Sequence, residues 1–566
     1  MTRIIILALA VATLAAGSSA GATSGLPPKG VTGIALNGRV GLAWQNAGGQ
    51  TAYNVYRGTS PSSITTPLTP VGGVTAKTFT DTSAVNGTTY YYTVRSVSAG
   101  LESSDSIVVQ ATPAPRSCSS GNAVVLENCF PGTTDWKLGN TPTVAAGGIE
   151  GFATTQSVDK GGSVDLKIRT TPGVSYSAYV YRSGYYGGAG GRLYSVQTGL
   201  VGTSQAACTS ASTTTGLYDC SKWSVSTTIT TTSVWPTGVY IVKLVRGDDG
   251  AENMILFVVR DDSRAAPLFY GVPFSTYEAY NNYGGKSLYG YNSSGSRTVA
   301  AGPQAVKVSF DRPFEQARTA ATSDFHDWYT RTDYETVYWL ESSGYDVGYQ
   351  SNTDMELNGA RVKNHQAYML GSHDEYYSTA MRTALEQARD GGVDLFAPGA
   401  NGVYWKIRYE NGPGGGQNRV EVCYKTTATG TPDPSGIPTG TWRDPAGANK
   451  PENALLGVMY VGDNSSAFFP LTVRAGDSSD RVYRFTSLQS KAGGSTDVSN
   501  SLVGWEWDAR VANGFEPSGV KTLSASSVYG NVIQSHGAGY IFAPATSNAA
   551  KYKAASGPLV FATGTN

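Results

Sequence analysis

The chain has 566 residues, too long for a single hydrophobic core, so two to four domains are expected. Its 42 Lys and Arg balance 42 Asp and Glu, and charged residues make up only 15%. Such a composition offers no basic stripe for nucleic acid and no polybasic segment for anionic lipid.

Residues 1–22 read as a secretory signal: Arg3, an apolar run from Ile4 to Ala16, then small residues with cleavage expected after Ala20 or Ala22. The run is short for a bilayer span and no later segment is long enough, so a secreted, extracellular chain without a membrane span is expected. Its 69 glycines and 35 tyrosines suit a β-rich extracellular protein with long aromatic loops. In an oxidising compartment the five cysteines should pair. Cys118–Cys129 and Cys208–Cys220 are the short-range candidates, and Cys423, in an alternating run with Val420, Val422 and Tyr424, is expected as a buried strand thiol.

Residues 27–113 show strand-like runs separated by turn signals: Gly41–Trp44, Ala52–Arg57, Thr78–Asp81 and Thr89–Val94, with Asn86-Gly87 at the corner before the last. This pattern resembles a fibronectin type III module, with Trp44 on its second strand and Tyr90 or Tyr92 as its tyrosine corner. Ala111 to Ser117 reads as a linker. Residues 118–262 continue the alternation in Ser163–Arg169 and Val239–Leu244, and the nearly continuous apolar run Ile255–Val259 suggests a strand covered on both faces. A second β-sandwich is expected here, with the glycine-loosened Tyr181–Arg192 loop as a domain contact or, as the second choice, a substrate-facing rim.

From residue 263 to 566 the pattern changes. Strands are expected at Ala305–Phe310, Tyr345–Tyr349, Gln366–Leu370 and Val393–Ala397, and helices at Asp327–Ser342 and Glu375–Arg389. This alternation predicts an α/β domain built on a mostly parallel sheet. Asp311 and Arg312, His373 and Glu375, and Asn401 each follow a predicted strand, so they are expected to converge on one crevice at the strands' carboxyl ends. A plainer reading of Ser372-x-x-Glu375 is a capping box, in which Glu375 only satisfies a helix N-terminus.

Two further stretches carry chemistry. Thr276–Tyr291, TYEAYNNYGGKSLYGY, packs phenols into a glycine-bent loop that can stack a ligand or ligate a metal, or simply be buried. In VGWEWD, Glu506 lies between two tryptophans, where desolvation suits a carboxyl to proton transfer near neutrality.

TYEAYNNYGGKSLY, SFDRPF, GSHDEYYS, APGANGVYW and VGWEWD, in that order, resemble the catalytic-subunit family of N,N-dimethylformamidase over roughly Ile149 to Phe561. The resemblance implies a β-sandwich followed by a glutamine-amidotransferase-like α/β catalytic domain, and a mononuclear ferric iron (Fe3+) held by two tyrosines and one glutamate. By motif position the metal ligands would be Tyr280, Tyr289 and Glu375, with Tyr277 and Tyr291 as near alternatives. His373 would sit beside the iron, Asn401 would orient substrate or water, and Glu506 would handle the proton. The implied function is a secreted amidohydrolase that cleaves a small amide to carboxylate and amine. The solvent-degrading enzyme works with a small second subunit, which nothing in this chain supplies.

The competing reading is a secreted carbohydrate- or cell-surface-binding protein on a degenerate enzyme scaffold. Expected partners are a small amide substrate and a polysaccharide or cell surface for the first module. A homo-oligomer is left open, and no nucleic acid is expected. A histidine metal site from His326, His365 and His536 lacks ligand-like spacing.

Overall fold

The computed structural model describes residues 25–139, 148–314, 329–425, 432–489, 495–499, 501–534, 537 and 539–565. The signal expected over residues 1–22, the first two residues of the 327–342 helix, and both His326 and His536 lie outside the described residues.

The first module forms as its alternation dictates. Strands Arg39–Gln45, Ala52–Gly58 and Tyr90–Ser98 turn Leu42, Trp44, Tyr53, Val55, Tyr92 and Val94 into one core. Of the two corner candidates, Tyr90 accepts the backbone N–H of Val85 at 3.2 Å, while Tyr92 donates to buried Asp81 at 2.9 Å. The module is joined to the next by main-chain pairing. Strand Val108–Ala111 pairs with both Tyr90–Ser98 and Gly191–Val201, so one ten-stranded sheet runs through both sandwiches. The stretch expected as a linker therefore begins in a paired strand.

In the second sandwich, Glu252–Arg260 shows why its sequence is apolar without alternation. Ile255, Phe257 and Val259 face the sandwich core. Met254, Leu256 and Val258 face a second core shared with the C-terminal region. The disulfides Cys118–Cys129 and Cys208–Cys220 are present, and Cys423 is a buried free thiol. The Tyr181–Arg192 loop is a domain contact: Tyr185 packs edge-on to Tyr338 at 5.2 Å in the Tyr334–Ser342 helix.

That contact is locked by a buried ion pair. Arg182 donates to both oxygens of Glu341, at 2.7 and 3.0 Å, and neither side chain is exposed. Tyr349 and Asn128 also donate to Glu341, at 2.9 and 2.8 Å. Removing one partner of such a pair strands a buried charge. Glu341→Ala is expected to lower unfolding stability by about 3–5 kcal/mol, read from the denaturation midpoint. A loss below 1 kcal/mol would show that the interface does not depend on this pair.

The α/β catalytic domain of glutamine-amidotransferase type expected for residues 263–566 is not what forms. The chain is predominantly β, and the longest described helix, Thr379–Asp390, has 12 residues. Five parallel strands are present: Val347–Ser351, Leu268–Val272, Ala367–Met369, Asp394–Ala397 and Leu559–Ala562. They belong to a mixed sheet completed by the antiparallel strands Ala550–Lys553 and Lys521–Thr522. One face is covered by Met381, Leu385 and Ala388 of the Thr379–Asp390 helix. On the other, Val239, Ile241, Met254, Leu256 and Val258 of the sandwich pack with Tyr270, Val272, Val347 and Tyr349. A β-sheet thus occupies the place a second helical layer would take. Between Asp394–Ala397 and Leu559–Ala562 the chain builds further antiparallel sheets rather than a short helical crossover.

Two local expectations change with it. Lys307–Ser309 is antiparallel to Val420–Val422 in a separate sheet, so Asp311 and Arg312 do not leave the parallel edge. The helix expected from Glu375 starts at Thr379, and Ser378 caps it by accepting the Met381 N–H at 3.1 Å. Glu375 therefore caps nothing.

Candidate active site

The strand Leu268–Val272 runs through Pro273 into the helix Phe274–Tyr280, which is buried on every side. Tyr280 is its last residue. The chain then turns through Gly284 and Gly285, both at positive φ (79° and 81°). A Cβ on Gly284 would lie 2.4 Å from the Tyr218 ring, so the turn admits no side chain there. The Leu288 N–H returns to the Ala279 carbonyl at 2.9 Å, which lays the Tyr289 ring on that of Tyr280, centroids 4.2 Å apart.

Buried Arg312 fastens this loop. It donates to Glu278 at 2.6 Å and to the carbonyls of Asn281, Tyr283 and Lys286 at 2.7–2.9 Å. Asp311 pairs instead with Arg419. Sequence reasoning placed Arg312 in the crevice; it holds the tyrosine loop from behind.

The second component leaves the Ala367–Met369 strand. Gly371 passes so close to Pro273 that a Cβ would lie 2.5 Å from the ring, bringing the two strand exits together. The Glu375 N–H is held by Thr276 Oγ1 at 3.1 Å, and its side chain is fully buried. Tyr280 donates its hydroxyl to Glu375 Oε1 at 2.5 Å and Tyr289 to Oε2 at 3.0 Å. His373 Nε2 lies 2.6 Å from Glu375 Oε1 and 3.5 Å from Glu506 Oε2.

Asn401 and Glu506 complete the group from opposite sides. Asn401, just past Asp394–Ala397, sits at φ 59° and donates its backbone N–H to Asp508 Oδ1 at 2.8 Å. Its Nδ2 reaches Glu506 Oε1 at 3.3 Å, and Oδ1 is buried with no hydrogen-bond partner among the described residues. Glu506 opens the strand Glu506–Ala509, paired to Met459–Asp463. All six residues singled out from the sequence, Tyr280, Tyr289, His373, Glu375, Asn401 and Glu506, thus form one connected cluster.

The near alternatives separate. Tyr277 donates to Asp333 at 2.5 Å, away from Glu375. Tyr291 is 68% exposed, its ring 5.7 Å from that of Tyr289. His365 stacks on Phe269 at 3.9 Å, and its Nδ1 lies 2.7 Å from the Ala266 carbonyl oxygen. Three contributors escaped sequence reasoning. Tyr376 donates to the Tyr289 hydroxyl at 2.6 Å. Lys425 Nζ lies 3.3 Å from the Tyr289 ring centroid and 4.3 Å from that of Trp405. Asp508 orients Asn401. A lone lysine closing the alternating run Val420–Tyr424 was the available signal.

The two carboxyls are pushed apart. Burial raises Glu375, but the His373 charge and the hydrogen bonds from His373 and Tyr280 outweigh it and hold Glu375 below the usual carboxylate range. Burial pushes Glu506 up to about 8, eased by His373 and reinforced by the charges of Glu375 and Asp463. Environments that separate two acids in this way assign one to stay ionised and the other to carry a proton.

Asp508 is pushed up to about 7, chiefly by burial. An unfolded aspartate titrates near about 4, so in the intervening range the folded chain binds more protons than the unfolded one. Stability of the metal-free protein should then fall as pH rises from about 4 to about 7. Asp508→Asn is expected to flatten part of that slope by a few kcal/mol at most, measured by denaturation at a series of pH values. An unchanged slope would show that Asp508 is ionised in the fold.

The donor set bears on a metal. An ion seated at Glu375 would meet the two phenol oxygens that approach its carboxylate. Two phenols and a carboxylate are hard oxygen donors, suited to a hard trivalent ion. Donors about 2 Å from an ion lie about 3 Å from one another, and the oxygens here approach at 2.5 and 3.0 Å. The residues fit.

These observations define a β-rich multidomain protein with a buried tyrosine–carboxylate site at the edge of a parallel strand set. Residues 177–566 match the family described as N,N-dimethylformamidase beta subunit-like, C-terminal, and the chain belongs to that family. At the level of the family it is a relative of an amidohydrolase.

Over 88 residues, 15% of this chain, it is also 36% identical to an amylopullulanase of Thermoanaerobacterium saccharolyticum, spanning 7% of that protein's length. An Fn3-like protein from Clostridium thermocellum is 28% identical over 16% of this chain and 97% of its own, with a TM-score of 0.15. A beta-1,2-glucanase from Parabacteroides distasonis is 24% identical over 16% of this chain and 13% of its own, with a TM-score of 0.14.

Proposed function

We propose that the protein is a secreted, iron-dependent amidohydrolase that cleaves an amide to a carboxylate and an amine. The observation that carries this reading is the placement of two phenol oxygens on opposite oxygens of one buried carboxylate, with a histidine and a second, raised carboxyl alongside. Two disulfides favour the extracellular compartment.

Tyr280, Tyr289 and Glu375 would hold a single ferric ion. When bound, it supplies Lewis-acid polarisation of an amide carbonyl and acidifies water near neutral pH. Arg312 and Thr276 hold two of the ligand segments in place from behind. Glu506, next to both His373 and Asn401, exchanges its proton near neutrality, and in its ionised form it takes a proton from the attacking water and returns it to the departing amine. Asn401 and His373 orient the amide and stabilise charge on its oxygen, an effect of about 3 kcal/mol per donor. The half-buried ring of Trp505 lies 5.4 Å from that of His373.

The test is to purify the protein and measure metal content, the visible spectrum and amine release from short formamides and acyl amides. About one iron per chain, a phenolate-to-iron absorption band and amine release are expected. Protein that holds no iron even after reconstitution and releases no amine would exclude this function.

A further inference from the structure

Resting on that hydrolase reading, we propose that the hairpin beside the cluster is a substrate subsite, and that the substrate is an amide bearing an aromatic or extended apolar group rather than a one-carbon solvent amide. The hairpin pairs Ser526–Gln534 with Gly539–Ser547 in the register Tyr529↔Pro544, Asn531↔Phe542 and Ile533↔Tyr540. Side chains alternate across a strand, so Tyr529, Phe542, Ile533 and Tyr540 share one face. Asp463 pairs with both Glu506 and Asn531 in the same sheet, so the cross-strand row Glu506, Asp463, Asn531 and Phe542 lies on one face. That face therefore begins at the site.

Away from Glu506 the face is open and mostly aromatic, with Asn531 as a polar member that donates to Asp463 at 3.0 Å. Tyr540 is 54% exposed, Phe542 70% and Tyr529 50%, and the Tyr529 and Phe542 rings lie 6.0 Å apart. Exposed Tyr291 stands against Tyr289, ring centroids 5.7 Å apart. Exposed aromatics that continue from a buried polar cluster suit a ligand whose reacting amide sits inside and whose apolar end stacks outside. Pro544 in the outer strand removes a main-chain donor from that edge, which disfavours strand addition by a second copy.

The experiment compares kcat/KM for N-benzylformamide and N-methylformamide in the full chain and in Phe542→Ser and Tyr529→Ser. The same proteins are titrated with N-benzylformamide in the Glu506→Gln background, and their sedimentation is recorded. The benzyl amide should be preferred, and each substitution should cut that preference roughly 3–10-fold, the size of one aromatic contact, with N-methylformamide unaffected. Binding of N-benzylformamide should weaken by the same factor. Equal use of the two amides, with binding indifferent to Phe542→Ser, overturns the subsite and leaves the hydrolase reading standing. Release of amine from neither substrate overturns the hydrolase reading, and the titration then decides the aromatic face by itself. A change from dimer to monomer in Phe542→Ser, with preference and binding unchanged, assigns the face to a second copy and overturns the proposal.

Discussion

Glu375→Ala is expected to yield a protein that holds no iron and shows no visible band. Both phenol hydroxyls converge on this one carboxylate, and His373 lies 2.6 Å from it. Removing it deletes one donor and the carboxylate on which both phenol hydroxyls converge. Loss of an outer partner typically costs a metal site 10–100-fold in affinity (roughly), and loss of a ligand should exceed that. Glu375→Gln separates charge from shape: it keeps an acceptor for one phenol, and it should also fail to retain the ion. Metal analysis and absorption spectra of both variants check this. A Glu375→Ala protein that keeps its metal and loses only about 1 kcal/mol of stability would make the residue purely structural.

Glu506→Gln should have the opposite signature, with iron content and colour retained and kcat reduced by roughly 10²–10⁴. Its carboxyl faces His373 and Asn401 and does not touch the phenols' acceptor oxygens. Glutamine preserves the hydrogen bond from Asn401 in one orientation but cannot accept and release a proton. KM should change little, because the lost interaction belongs to the proton in flight rather than to bound substrate. Steady-state kinetics on the metal-loaded variant decides it. Unchanged turnover would place the proton-handling group elsewhere, and loss of iron would place Glu506 in the coordination sphere.

The contrast between these variants shows what local sequence can reveal. Glu375 was noticeable because three titratable groups follow a short apolar run and a glycine. Nothing local distinguished a capping role from a site role; the difference is whether the helix starts at Glu375 or at Thr379. Ser378, a better-placed cap, settles that, and the short strand Tyr376–Ser378 intervenes. Tyr280 and Tyr289 came from motif position, and their stacking depends on a carbonyl contact from Ala279 that no spacing announces.

The architecture was legible where one strand's pattern reports its own burial. The unbroken apolar run in Glu252–Arg260 correctly signalled two covered faces. What covers them was not legible, because a parallel strand looks the same under a helix or under another sheet. The α/β reading failed at that point. Arg312 was misplaced for a related reason: the strand before it pairs with Val420–Val422, more than a hundred residues on, and strand partners at that distance leave no trace in a local window.

The central claim is that Tyr280, Tyr289 and Glu375 surround one ferric ion. The most direct test is anomalous diffraction at the iron edge from crystals of the purified protein. The account predicts a single strong peak about 2 Å from the two phenol oxygens and a Glu375 oxygen. Iron-replete crystals with no peak between these residues, and the phenols still hydrogen-bonded to Glu375, would contradict it.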